Sequence, residues 1–201
     1  MVHFGDVPTW LAAIGTVAAF AVAFVQIRTE RQSRHQKDRA DLAERHVAHA
    51  TLVAAIRGPE ESDQQGDGRT AVDCINSSRE PVYNVVATIV FIQGAAPHTT
   101  EEMLEVRLGQ DPPQSIPVAT LGVLPPGVWR AWAAGIGWTG VMAGRPGVEI
   151  AFTDRSGNHW IRRANGSLDE LDVSPLTSLA RLGYPPPYDF QTPEPLDGGY
   201  P

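Results

Sequence analysis

The sequence predicts a mainly β protein, a two-layer sandwich of about seven strands behind one long N-terminal α-helix that is first a transmembrane segment and then a stalk. Three observations lead there. Val7 to Ile27 carries no charged side chain. No Gly or Pro interrupts Thr16 to Arg57. From Thr70 onward, short runs of β-branched and aromatic residues alternate with Gly, Pro, Asn and Asp, the composition of strands divided by turns. The 201 residues suit one globular domain with tails.

Residues 1–6 form a short external N-terminus, and residues 7–27 the transmembrane helix. The run VPTWLAAIGTVAAFAVAFVQI is long enough to cross a hydrocarbon core of about 30 Å. Its apolar residues cover the whole circumference, and a small β domain has nowhere to bury such a helix. Pro8 fits a first helical turn, where its missing N–H costs nothing. Ala21-Val22-Ala23 resembles a signal-peptide cleavage site, but the basic cluster follows the apolar run instead of preceding it. Trp10 suits one membrane interface and Arg28, Arg31 and Arg34 the other. Residues 1–6 hold no Lys or Arg, so the positive-inside rule puts the N-terminus outside and the following domain in the cytoplasm. Gly15, Ala19 and Ala23 form a small-residue stripe that would let two helices approach closely, giving a homo-dimer through the membrane helix.

Residues 28–57 continue as a helical stalk, roughly 45 Å long at 1.5 Å per residue. Glu30 with Arg34 and Asp41 with Arg45 place opposite charges one turn apart. Gly58-Pro59 would end the helix, and residues 58–69 read as an acidic linker without the calcium-loop spacing. His46 and His49 share a helix face, but no third ligand is placed to complete a metal shell.

Charge divides the chain. Arg28 to Arg57 holds seven basic and four acidic side chains, net +3; from Gly58 onward nine Arg face 18 acids, net −9. The basic stretch suits anionic lipid. The acidic domain repels phosphate backbones, which excludes nucleic acid as its expected partner. Cys74 is the one cysteine, so no intramolecular disulfide forms and no oxidising compartment is required.

The sandwich spans residues 70–166. Strands are expected near Ala71–Asn76, Val82–Gln93, Met103–Leu108, Ile116–Leu124, Val128–Ala134, Val148–Thr153 and Asn158–Arg163. Asp154-Arg155-Ser156-Gly157 is a hairpin turn with Trp160 on its return arm, and Pro125-Pro126-Gly127 is another turn. Seven strands without intervening helices suit two packed sheets. Residues 167–183 read as a short helical segment, with Ser174 as N-cap, Pro175 at N1 and Gly183 beyond the end. Residues 184–201 read as a disordered Pro-rich tail or an edge-covering segment.

The succession Asn76-Ser77-Ser78, Pro81-Val82-Tyr83-Asn84-Val85, Leu124-Pro125-Pro126-Gly127 and Phe152-Thr153-Asp154-Arg155-Ser156-Gly157-Asn158-His159-Trp160 resembles immunoglobulin-like bacterial sandwiches. With the N-terminal anchor, about residues 5–170 resemble actinobacterial-type single-pass membrane proteins with a helical stalk and an immunoglobulin-like sandwich. The resemblance implies fold and layout, and no activity.

Other motifs carry little. Gly135-Ile136-Gly137-Trp138-Thr139-Gly140 matches a dinucleotide fingerprint by letter, but no helix has room to follow it. Pro185-Pro186-Pro187-Tyr188 matches a WW-domain ligand. Trp129, Trp132, Trp138 and Trp160 read as core and rim rather than as a carbohydrate platform. The sequons at Asn76 and Asn165 matter only in a secretory compartment. No acid–base pair, nucleophile elbow or phosphate loop appears. The expected function is therefore a membrane-anchored interaction or scaffolding module with a protein partner and no cofactor; a single-pass sensor is the alternative.

Overall fold

The computed structural model describes residues 44, 46–62, 68–94, 96–111, 114–134 and 144–196. The anchor residues Trp10, Gly15, Ala19, Ala23, Arg28, Arg31 and Arg34, and the loop 135–140, lie outside them. No helix among the described residues is long and apolar enough to cross a membrane.

The chain is mainly β, with two sheets. The first has the order β1 (Val53–Ser62), β2 (Gly68–Asn76), β5 (Gly127–Ala134), β10 (Glu194–Pro195). The second has the order β8 (Leu168–Leu171), β7 (His159–Arg162), β6 (Pro146–Thr153), β3 (Val82–Phe91), β4 (Val118–Leu124), β9 (Phe190–Gln191). Every pairing is antiparallel except β4 with β9. Val72, Cys74, Val85, Ala87, Ile89, Leu121, Ile150 and Phe152 belong to one buried cluster drawn from both sheets. A second cluster joins Val86, Ala151 and Ile161 of the second sheet to Leu104 and Leu179. Those two leucines sit on α1 (Thr100–Leu108) and α2 (Pro175–Arg181). The second sheet is therefore buried on both faces. That is why β3 reads as a nearly continuous apolar run and not as an alternation.

Several expectations are corrected. The stalk helix does not reach Arg57: helical residues end at Ala50, and Val53 already opens β1, paired with Asn76. Thr-Leu-Val-Ala-Ala-Ile has no breaker, but pairing with β2 and complete burial of Val53 outweigh a helix propensity of tenths of a kcal/mol per residue. The linker 58–69 is likewise mostly strand: Glu60, Glu61 and Ser62 pair with Thr70, Arg69 and Gly68, and Arg69 also pairs with Ala134 of β5. Gly58-Pro59 marks a bulge between Arg57 and Glu60 on an edge strand, where a missing N–H is tolerated. A Cβ at Gly58 would lie 2.8 Å from the Ala71 Cβ, so glycine is set there by close approach.

Met103–Leu108 is helix, not strand. Thr99 caps α1 by accepting a hydrogen bond from the Glu102 N–H at 3.2 Å, and Glu101 and Glu102 occupy the first turn, where acids favour the helix N-terminus. The segment 167–183 opens with strand β8, which follows a turn at Asn165-Gly166, a common hairpin pair. Its helical part, α2, starts after the Ser174 cap as expected. Residues 184–196 are ordered and not a disordered tail: β9 lies on the β4 edge and β10 on the β5 edge. The edge-covering reading therefore holds for those residues. With these additions the strands number ten among the described residues, against about seven expected.

Candidate functional site

Glu149 is the residue from which the candidate site is built. It sits on β6 between Val148 and Ile150 and is 1 % exposed. Sequence alternation reads it as the solvent side of a half-buried strand. Helix α1 covers that side instead. The Thr100 N–H and hydroxyl both donate to Glu149 Oε2, at 2.8 and 2.7 Å. A carboxylate thus meets the N-terminus of a helix, where the backbone N–H groups lack intrahelical partners.

Arg163, just beyond β7, completes the arrangement. Its Nη1 donates to Glu101 Oε2 at 2.9 Å and approaches Glu149 Oε2 at 3.2 Å and Oε1 at 3.4 Å. Its Nε faces Asp169 Oδ2 at 3.4 Å. One guanidinium therefore links α1, β6 and the edge strand β8. Burial raises the Glu149 carboxyl above the ordinary carboxylate range, despite the opposing Thr100 bonds and Arg163 charge. Burial also pushes Glu101 upward, but the Arg163 bond and charge outweigh it and leave Glu101 lowered. The difference has a simple cause: Glu101 keeps access to water, and Glu149 does not.

A cleft of about 590 Å³ opens beside this cluster, with Ile92, His98, Glu149, Ala164 and Asp169 in its walls. The volume is in the range of small-molecule sites. Gly147 lies behind the wall, where a Cβ would come within 2.7 Å of Ile92 and 2.9 Å of Ala164. His98 Nδ1 stands 2.7 Å from the Phe91 carbonyl oxygen. A carbonyl only accepts, so Nδ1 donates this bond. Among the described residues, no three His, Cys, Asp or Glu side chains converge as a metal shell requires.

At the opposite end of the sandwich Asp154 organises the β6–β7 turn. Its Oδ1 accepts from the N–H groups of Ser156 and Asn158 at 2.8 and 2.9 Å, and its Oδ2 from Asn158 Nδ2 and Trp160 Nε1 at 3.1 and 3.0 Å. Burial would raise Asp154, but these four bonds outweigh it and hold the carboxyl below its usual range. His46 Nδ1 lies 3.7 Å from Asp154 Oδ2, so the helical residues end against this turn. His49 Nε2 is buried and has no hydrogen-bond partner among the described residues. The two histidines do not share a ligand.

The remaining sequence candidates resolve into structure. Cys74 is fully buried, and burial, with the Asp73 charge beside it, pushes its thiol up to about 12. Asn76 is buried and donates to the Glu80 and Leu124 carbonyls, so the first sequon is closed to modification. Tyr188 of the Pro-rich motif donates to the Leu176 carbonyl at 2.8 Å and packs, partly buried, against the second core cluster. Trp160 is core, while Trp132 stacks under the Arg69 guanidinium at 4.1 Å. The Glu149–Arg163 pair escaped sequence reading. A lone acid inside Val-Glu-Ile-Ala-Phe was its one signal, and only the packing of α1 distinguishes it from an exposed strand residue.

No family model matches the chain, and neither a curated protein nor a solved structure matches it.

Proposed function

We propose that the chain is a membrane-anchored protein-interaction module. Residues 7–27 hold it in the bilayer, with the N-terminus outside and the two-sheet domain in the cytoplasm, where it meets a protein partner. The domain is read as an immunoglobulin-like sandwich: β1, β2 and β5 supply one sheet and β7, β6, β3 and β4 the other, the order of strands A, B, E against G, F, C, C′. The tail and β8 are additions at its edges. Neither nucleic acid nor a catalytic step belongs to this reading; Glu149, Glu101 and Asp169 are engaged by one arginine, and Cys74 is sealed in the core.

The observation that carries it is the junction between helix and sandwich. Arg162 donates to the carbonyls of Thr51 at 2.8 Å and Val53 at 2.6 Å. Chain arriving from the N-terminal side is thus clamped to the second sheet within three residues of the last helical one, with no free linker between. Deleting residues 1–27 should move the full chain from the membrane pellet to the soluble fraction. A reporter fused after Pro201 should be active in its cytoplasmic form only. A soluble full-length chain, or an externally active reporter, overturns the reading.

The same joint favours a second reading, a single-pass sensor. His46 lies 3.7 Å from Asp154 in the β6–β7 turn and Arg162 of β7 holds the Thr51 and Val53 carbonyls; in this reading the membrane helices associate through Gly15, Ala19 and Ala23. Changing Gly15 and Ala19 to Ile should abolish a membrane-helix dimer; an unchanged dimer excludes that face.

A further inference from the structure

The C-terminal segment is held to the sandwich by few contacts. β9 and β10 are two residues each, on the edges of β4 and β5. Beside them the Thr120 hydroxyl donates to the Asp189 carbonyl at 2.6 Å and the Leu196 N–H to the Val128 carbonyl at 3.1 Å. The Gln191 side chain stands in for a strand against the Trp132 main chain. None of residues 184–196 is buried, and Phe190 is 48 % exposed. Little apolar area therefore resists release of the segment. It also packs loosely: Asp189 and Gln191 share the walls of a cleft of about 580 Å³ with Ile116, Thr120 and Trp132. The linker ahead of it is Pro185-Pro186-Pro187, exposed throughout. Three successive prolines favour an extended course, which would carry the following residues away from their own sheet edges. Within one chain the linker instead folds back, bringing the rings of Tyr184 and Tyr188 to 6.0 Å.

We infer that residues 188–196 form an exchangeable arm: two copies of the chain swap it, each arm seating on the β4 and β5 edges of the other. Every contact between arm and sandwich recurs in the exchanged pair, so the closed and swapped forms differ chiefly in the course of the linker and in copy number. The occupant is a second copy rather than an unrelated peptide, because the seat is met by this segment's own residues. Gln191 supplies both halves of the Trp132 pairing, and the Tyr188 hydroxyl reaches the Leu176 carbonyl at 2.8 Å. The inference goes beyond the anchoring proposal and does not rest on it; a shared membrane would only raise the local concentration of copies.

The test is disulfide capture between two differently tagged full-length populations in detergent. One carries Trp129→Cys and the other Pro195→Cys, direct antiparallel partners within disulfide reach. Cys74 is buried and takes no part. The populations are mixed, incubated and oxidised, and non-reducing electrophoresis reads the product. A covalent dimer bearing both tags is expected, because these cysteines meet only when an arm seats on another copy. Replacing the first population by Asn165→Cys, exposed in the β7–β8 loop, should remove it. Pro185→Gly, Pro186→Gly and Pro187→Gly together should lower the two-tag yield several-fold, since a flexible linker lets each arm return to its own seat. If Trp129→Cys does not fold, Val128→Cys with Leu196→Cys, neighbours through a main-chain bond, takes its place. No two-tag dimer, an equal yield with Asn165→Cys, or a yield indifferent to the glycine linker overturns the inference.

Discussion

Arg162 Nε donates to the Val53 carbonyl at 2.6 Å across 109 residues of chain. Its Nη2 takes the Thr51 carbonyl at 2.8 Å and reaches the Ala50 carbonyl at 3.5 Å. The last carbonyls of a helix lack intrahelical donors and sit at the negative end of its dipole, so a cation there satisfies both needs. This one side chain makes a joint out of a helix end and a strand start.

Arg162→Met keeps the stem and removes the donors. It should cost about 2–3 kcal/mol, the range of hydrogen bonds to a charged group. Limited proteolysis should then cut near residues 50–53, where the wild type resists.

Asp154→Ala would leave Trp160 Nε1 and the N–H groups of Ser156 and Asn158 without their acceptor. A loss of about 3 kcal/mol or more is expected from chemical denaturation. The pH dependence has a definite sign. Asp154 and Glu101 are lowered in the folded state, so their stabilisation is complete above the ordinary carboxylate range and fades as pH falls through their folded values. Glu149 is raised and acts oppositely: its contribution is full below the ordinary range and is lost as pH rises through its folded value. Asp154→Asn should therefore flatten the acid limb of the stability profile, and Glu149→Gln should steepen it near the top of the carboxylate range.

Gln191 acts as a surrogate strand residue. Its Oε1 accepts from the Trp132 N–H at 2.8 Å and its Nε2 donates to the Trp132 carbonyl at 2.5 Å. The C-terminal segment thereby covers one edge of each sheet, β5 in the first and β4 in the second, edges that otherwise invite edge-to-edge pairing. Gln191→Ala should cost about 1–2 kcal/mol for two hydrogen bonds and accelerate amide exchange at Trp132. Truncation after Gly183 should promote self-association, visible by light scattering.

Cys74 gives a simple probe of the core. A fully buried thiol held at about 12 has almost no thiolate at neutral pH. A thiol reagent should leave the native chain unlabelled and react once per chain in denaturant. Native labelling would contradict this packing.

Gly58→Ala tests the bulge in β1. The new methyl would meet the Ala71 Cβ at 2.8 Å, backbone-borne on both sides, so a shift costing about 1–3 kcal/mol is expected. A fully stable variant would show that β1 can move away from β2.

The sequence by itself determined the mainly β character and most of the strands, because β-branched runs and Gly, Pro and Asp turns act over a few residues. The Asp154–Gly157 hairpin and the Ser174 cap were readable for the same reason. Tertiary structure decided the rest. Val53–Ser62 became a strand because β2 offered an edge and the core a place for Val53, a long-range gain larger than local helix preference. Met103–Leu108 became helix despite its apolar residues, through the Thr99 cap and the acids of the first turn. The ordering of residues 184–196 depends on two distant sheet edges. Glu149 is the clearest case: its burial, its Thr100 bonds and its share of Arg163 arise from three segments far apart in the chain. No spacing in the sequence encodes that meeting, because only the packing of α1 and β8 onto the second sheet brings the charges together.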